Sequence, residues 1–170
     1  MDHVDVITQQ WEQERPDLDV TAMSVIGRVA RLQLSYQREM QKTWAEFGLN
    51  AAKFDVLATL RRAGAPYALS PGALLEATMV ASGTMTNRID RLAADGLVKR
   101  EVNPDDSRSF LIGLTEKGFA MIDQAVTAHV RTQARLLAGL SAEEVGTLNG
   151  LLGKAQRAAE RSPTTDVGAP

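Results

Sequence analysis

Between Val80 and Thr115 the chain reads VASGTMTNRIDRLAADGLVKREVNPDDSRSFLIGLT. On a helix from Ser82 through Asp95, Met85, Ile89, Leu92 and Ala93 fall on one face. Thr84, Asn87 and Arg91 lie across from them, with Arg88 at the flank. Ser82 is placed to cap that helix, and Gly96 ends it. Leu97 to Val102 alternates as a strand, Asn103-Pro104-Asp105-Asp106 is turn chemistry, and Phe110, Ile112 and Leu114 alternate as a returning strand. A short polar-faced helix followed by strand, charged turn and strand is the pattern of a winged helix-turn-helix.

The flanks are helical. Asp5 to Gln13 predicts a short leading helix with Trp11 on its apolar side, broken at Arg15-Pro16-Asp17. A long helix over Thr21 to Phe47 carries the stripe Ala22, Ile26, Val29, Leu32, Tyr36, Met40, Trp44 and Phe47, in steps of three and four. Gly48 closes it. Asn50 caps a helix over Ala51 to Ala63, and Ser70-Pro71 opens another that runs to Ala77. Thr115 caps a second long helix through Leu137, with Glu116 in its first turn, and Ser141 with Glu144 forms a capping box for a last helix to Ala159.

The expected fold is therefore mainly α with a small β-wing. The expected division is N-terminal dimerisation helices over 1–48, a winged helix-turn-helix over 49–114, C-terminal dimerisation helices over 115–160 and a disordered tail over 161–170. Dimerisation is expected because two apolar stripes exceed what one small winged domain covers. They lie on the Thr21–Phe47 helix and along Leu136, Leu140, Val145, Leu148, Leu151 and Leu152.

Composition removes whole classes of function. The 170 residues contain no cysteine, which excludes disulfides and thiol chemistry. The only histidines, His3 and His129, have no metal-ligand spacing, so no metal and no cofactor is expected. His129 is expected to be solvated or hydrogen-bonded. No phosphate loop and no Ser/His/Asp set points to catalysis, so no catalytic residue is assigned. Neither a signal peptide nor an apolar run near 18 residues is present, and a cytoplasmic location is expected. The net charge of −2 requires that any affinity for DNA come from a locally basic face.

Such a face is at hand. Arginine reads guanine, asparagine reads adenine, and threonine offers a hydroxyl and a methyl. Ser82, Thr84, Asn87, Arg88 and Arg91 are the candidate DNA contacts on the helix. At the hairpin tip, Arg108 suits a minor groove, with Asp106 orienting its guanidinium. The order of a long helix, a three-helix winged unit and two long C-terminal helices resembles the MarR family of bacterial transcriptional regulators. That family's wing motif, Asp-x-Arg followed by Leu-Thr, stands here as Asp106-Ser107-Arg108 and Leu114-Thr115. The resemblance covers Asp5 to Ala159. It implies an obligate homodimer whose lobes take the two halves of a pseudo-palindromic operator in double-stranded DNA.

A narrower resemblance concerns Trp11-Glu-x-Glu-Arg-Pro-Asp-Leu-Asp19 and Phe54-Asp55-Val-Leu-x-x-Leu-Arg61-Arg62. It is similar to the PecS-type, urate-responsive branch of that family, whose four marking residues stand here as Trp11, Asp55, Arg62 and Arg100. Asp55 and Arg62 share a helix face roughly 10.5 Å apart along the axis, wide enough to bracket a flat anion. Trp11 is suited to stack on such an effector, Arg62 to pair with it, and Arg100 to couple the site to the wing. The alternative effector is an indole, phenolic or benzoic acid at a junction pocket lined by Ser24, Arg28, Tyr36 and Trp44. Three further readings rank below a ligand-responsive repressor: a regulator with no small-molecule input, an enzyme, and a winged domain used only for protein contacts.

Overall fold

The computed structural model describes residues 1–78 and 85–161. Its elements are α1 (His3–Glu14), α2 (Thr21–Ala45), α3 (Ala51–Arg62), β1 (Ala68–Leu69), α4 (Pro71–Ala77), α5 (Met85–Ala94), β2 (Val98–Asn103), β3 (Asp106–Leu114), α6 (Glu116–Leu136) and α7 (Ala142–Arg161). This is the expected winged helix-turn-helix between long helices. Two compact units result, one over Met1–Thr132 and one beginning at Gln133.

Most element ends follow from local chemistry. The Asn50 side chain accepts the Lys53 N–H at 2.9 Å, and Ser70 Oγ accepts that of Ala73 at 3.2 Å, with Pro71 in the first helical turn. Ser141 Oγ accepts from Glu144 N at 3.2 Å while Glu144 accepts from Ser141 N at 2.7 Å, which completes the expected capping box. The leading helix starts two residues earlier than expected. Asp2 caps it in a box with Asp5, a signal that Asp-x-x-Asp carries. At the end of α5, Gly96 takes a φ of +70° so that its N–H reaches Ala93 O and the Leu97 N–H reaches Leu92 O. The α2 helix ends in the same kind of turn at Gly48, two residues short of Phe47.

The three strands lie in the order β1-β3-β2, all antiparallel. Ala68 faces Gly113 and Leu69 faces Ile112. On the other side Val98 to Val102 pairs with Leu114 to Phe110. The β1 strand is absent from the sequence-based expectation, because two residues carry no periodicity. One core joins the elements. Val56, Leu57 and Leu60 from α3, Leu74 from α4, Ile89 and Leu92 from α5, Ile112 from β3, and Ile122 and Ala125 from α6 are buried in it. Lys53 pairs with Asp95 at 2.6 Å and Lys117 donates to the Asp95 carbonyl at 2.8 Å, so two cations hold the C-terminal end of α5.

The start of α6 docks on the start of β2. Thr115 Oγ1 donates to Gly96 O at 2.7 Å and accepts from Gly118 N at 3.0 Å. A Cβ at position 118 would lie 1.9 Å from the Leu97 carbonyl oxygen, a backbone atom with no room to give. Gly118→Ala is expected to destabilise the protein by about 1–3 kcal/mol through overpacking. Urea unfolding at fixed protein concentration measures it, and an unchanged midpoint would refute this close approach.

Candidate DNA-reading face and sensor residues

Burial on α5 follows the expected amphipathic pattern. Met85, Ile89 and Leu92 are buried, Asn87, Asp90 and Arg91 are exposed, and Arg88 is half-buried. Ser82 and Thr84 lie outside the described residues. The hairpin tip is built from side-chain-to-backbone bonds. Asn103 Oδ1 accepts from Asp105 N at 3.1 Å, and Asn103 Nδ2 donates to Ser109 Oγ at 3.1 Å. Asp106 was expected to orient the Arg108 guanidinium. Instead its carboxylate accepts the Arg108 backbone N–H at 3.0 Å, because that N–H is nearer in the turn. The carboxylate therefore shapes the tip and leaves the guanidinium to project from an exposed residue. Among the described residues no carboxylate forms a salt bridge with Arg91 or Arg108. By contrast Lys99 pairs with Glu101 at 2.5 Å and Arg100 with Asp90 at 2.6 Å. Cations without an ion pair among the described residues thus stand on α5, at Arg91, and at the wing tip, at Arg108.

The sensor candidates are spread over three elements, α1, α3 and β2. Arg62, on the last turn of α3, donates to the Ala77 carbonyl and to Thr59 Oγ1 at 3.2 Å. It thereby ties α3 to the end of α4. Arg100 lies on β2, bound to Asp90 of α5 and set 5.7 Å from the Phe110 ring centroid. Each arginine thus ties one helix of the helix-turn-helix to a neighbouring element. Asp55 is half-buried on α3, one turn into the helix. Trp11 is not the apolar anchor of α1. It is 43% exposed, whereas Val4 is the buried residue of that helix and packs against Gly27 of α2. The shallow groove beside Trp11 is lined by Gln10, Gln13 and Glu14, and by none of Asp55, Arg62 or Arg100.

The alternative pocket residues separate into two places. Ser24 Oγ donates to the Thr21 carbonyl at 2.8 Å. Arg28 binds Asp2 at 3.0 Å and also Asp5, and so clasps α1 to α2. The hydrogen bonds within the capping box, then Arg28, hold both carboxyls below the usual carboxylate range. Trp44 instead stacks on Phe54, with centroids 5.2 Å apart, and on His129 at 5.7 Å. Sequence reading missed His129, expecting it solvated or bonded. Its Nδ1 and the Trp44 Nε1 are both buried and without a hydrogen-bond partner among the described residues. Burial pushes the imidazole pKa down.

A three-helix unit with an amphipathic, cation-bearing α5 and a cation-tipped hairpin defines a winged-helix DNA-binding regulator. Comparison with known proteins gives the family. A MarR family profile matches residues 47–109. The chain is 44% identical over 151 residues to the HTH-type transcriptional regulator PecS of Dickeya dadantii, covering 89% of this chain and 91% of that one. Two solved structures are also similar. One is a mutant MarR from Escherichia coli complexed with operator DNA (28% identity, TM-score 0.66, 85% of this chain and 96% of that one). The other is Bordetella bronchiseptica BpsR, whose DNA binding is regulated by 6-hydroxynicotinic acid (29% identity, TM-score 0.67, 78% and 92%). The chain belongs to the MarR family and is a PecS-type DNA-binding transcriptional regulator, not an enzyme.

The half-buried imidazole has a consequence for stability. Its folded pKa lies below the unfolded value of 6.5, so the unfolded state binds more protons as the solution becomes acid. Its contribution is fully present above that value and falls as pH drops through it. The carboxylates with lowered pKa lose their contribution only below about pH 4. Urea midpoints are therefore expected to fall between pH 7.5 and 5.5, and His129→Phe is expected to flatten that slope. An equal slope in the variant would assign the effect elsewhere.

Proposed function

We propose that the chain acts in the cytoplasm as a homodimeric repressor. Each winged lobe takes one half of a pseudo-palindromic operator, and a small aromatic anion releases it, with urate the leading candidate. The observation that carries DNA reading is the pairing of an outward α5 face bearing Asn87 and Arg91 with a wing tip bearing Arg108, where charge is left uncompensated. Arg88, Ser82 and Thr84 complete the proposed contacts. Dimerisation draws on apolar side chains that one chain leaves bare. Ile26 is 67% exposed and Leu34 65% on α2, Leu151 is 61% exposed on α7, and no residue of α7 is buried. A helix bare on its apolar side needs a partner.

Release follows from what Arg62 and Arg100 hold. An anion recruiting Arg62 competes with the Ala77 carbonyl at the end of α4. An anion recruiting Arg100 competes with Asp90 on α5. Either loosens the helix-turn-helix, and Trp11, exposed and planar, supplies a stacking surface. Asp55 sets the response by repelling the anion's charge. The shift is limited by the anion's differential affinity for the two states.

A second reading rests on the two unpartnered nitrogens of Trp44 and His129. A phenolic, indole or benzoic acid at that junction would supply both with partners. The regulation of BpsR by an aromatic acid supports this class of effector.

Fluorescence anisotropy on an operator selected from random duplexes tests the reading, with urate and then benzoate as titrants. Release by urate is the expected result. Release by benzoate alone moves the sensor to Trp44, and no selected operator overturns the proposal. Arg108→Ala is expected to leave the dimer intact and to lower the slope of log affinity against log salt by about 1. Arg91→Ala should cost about 1–3 kcal/mol in operator binding if it reads a base. Asp55→Asn is expected to change the urate response more than operator affinity. Equal loss of both would make Asp55 structural.

A further inference from the structure

We propose that Arg61 is a positioning residue that fixes the angle of the winged lobe on α6, and so sets the half-site spacing that the regulator reads. The proposal rests on the dimeric reading above. Arg61 lies beside Arg62 but points into a different assembly. Its guanidinium carbon is 4.6 Å from the Phe119 ring centroid and 5.3 Å from that of Tyr67. Those rings are 5.0 Å apart and inclined at 60°. Arg61 Nη2 and Nε reach one carboxylate oxygen of Asp123 at 2.9 and 3.1 Å. The end of α3, the approach to β1 and the second turn of α6 meet on this one side chain.

Tyr67 is itself anchored. It takes a φ of +62°, donates its N–H to Gly64 O at 2.7 Å and accepts from Leu114 N at 3.1 Å. It therefore moves with the lobe, while Phe119 and Asp123 move with α6. Beyond the first turn of α6, its other contacts with the lobe are apolar or aromatic, through Ile122, Ala125 and the Phe54 and His129 rings, whose centroids lie 4.8 Å apart. Apolar burial resists separation but is non-directional. A planar guanidinium held against two rings and a carboxylate is directional, and lysine does not replace it.

The α6 helix is already pinned at its first turn, where Thr115 and Gly118 meet Gly96 and Leu97. One pin leaves a rotation open, and Arg61 supplies the second. Leverage makes this matter. At 1.5 Å per residue α6 runs about 20 Å beyond Asp123, so a swing of about 5° at Arg61 displaces its far end by roughly 1.7 Å. Made in both halves of a dimer, that amounts to about the 3.4 Å step of one base pair, while half-sites sit about 34–36 Å apart.

The test uses the full chain and an operator it selects from random duplexes. Variants of that operator have one base pair added or removed between the halves, and an isolated half-site completes the set. Wild type is expected to prefer its own spacing by about tenfold or more. Arg61→Ala and Arg61→Lys are expected to lose about tenfold on that operator, to bind altered spacings almost as well, and to bind the half-site as wild type does. Asp123→Asn, at an exposed side chain, should flatten the preference by a milder route should Arg61→Ala fail to fold. Losses equal on every duplex, or an unchanged spacing preference in Arg61→Lys and Asp123→Asn, would overturn the proposal. If wild type itself binds the half-site as tightly as the full operator, the dimeric reading fails first and this inference falls with it.

Discussion

The winged lobe depends on the burial of one edge of α5. Ile89 and Leu92 enter a core made by Leu57 and Leu60 of α3, Leu74 of α4 and Ile112 of β3. Each fully buried side chain of that size stabilises the fold by about 1.5–3 kcal/mol, against a net stability of about 5–15 kcal/mol for a domain. The edge that packs is therefore not negotiable, whereas the opposite edge contributes almost nothing to folding. Asn87 and Arg91 stand where the chain is free to choose residues for what they bind. The cations Lys53 and Lys117 at the far end of α5 fix its axis without touching that outer face.

Charge is handled locally. With 19 basic and 21 acidic residues, the chain must draw any affinity for a polyanion from local groups of cations. Arg100, Lys99, Lys53, Arg61 and Arg28 are each matched to a carboxylate, while Arg91 and Arg108 are not. Exposed pairs of this kind contribute little to stability. Their effect is to neutralise Lys99 and Arg100 beside the reading face, while Arg91 and Arg108 keep their charge.

Much of the fold was legible because its signals are local. Asn50, Ser70 with Pro71, Ser141 with Glu144, and the Asn103-to-Asp106 turn each act within four residues. The amphipathic edge of α5 needed only its own period. Asp55 and Arg62 could be placed on one helix for the same reason. What escaped depends on contacts distant in sequence. The β1 strand exists only because β3 accepts it. His129 is half-buried against Trp44 and Phe54, which lie on other helices. The partner of Arg62 is a main-chain carbonyl, which no residue type announces. Trp11 shares the face of α1 that carries Val4, seven residues earlier, but the depth of its burial was not legible, and the shorter Val4 does the packing. Arg61 looked like its neighbour until Tyr67, Phe119 and Asp123 were seen around it.

The two arginine ties differ in who can retune them. Asp90 and Arg100 are both side chains, so inheritance can weaken, strengthen or swap that link from either end. Arg62 meets a peptide oxygen, and every residue at position 77 presents the same oxygen. A lineage adjusting that second tie can edit it only from the α3 side, at Arg62 or at Thr59, whose hydroxyl accepts from the same guanidinium. Divergence among regulators of this build should therefore accumulate on the α5-to-β2 link while the α3-to-α4 link changes only on its α3 side.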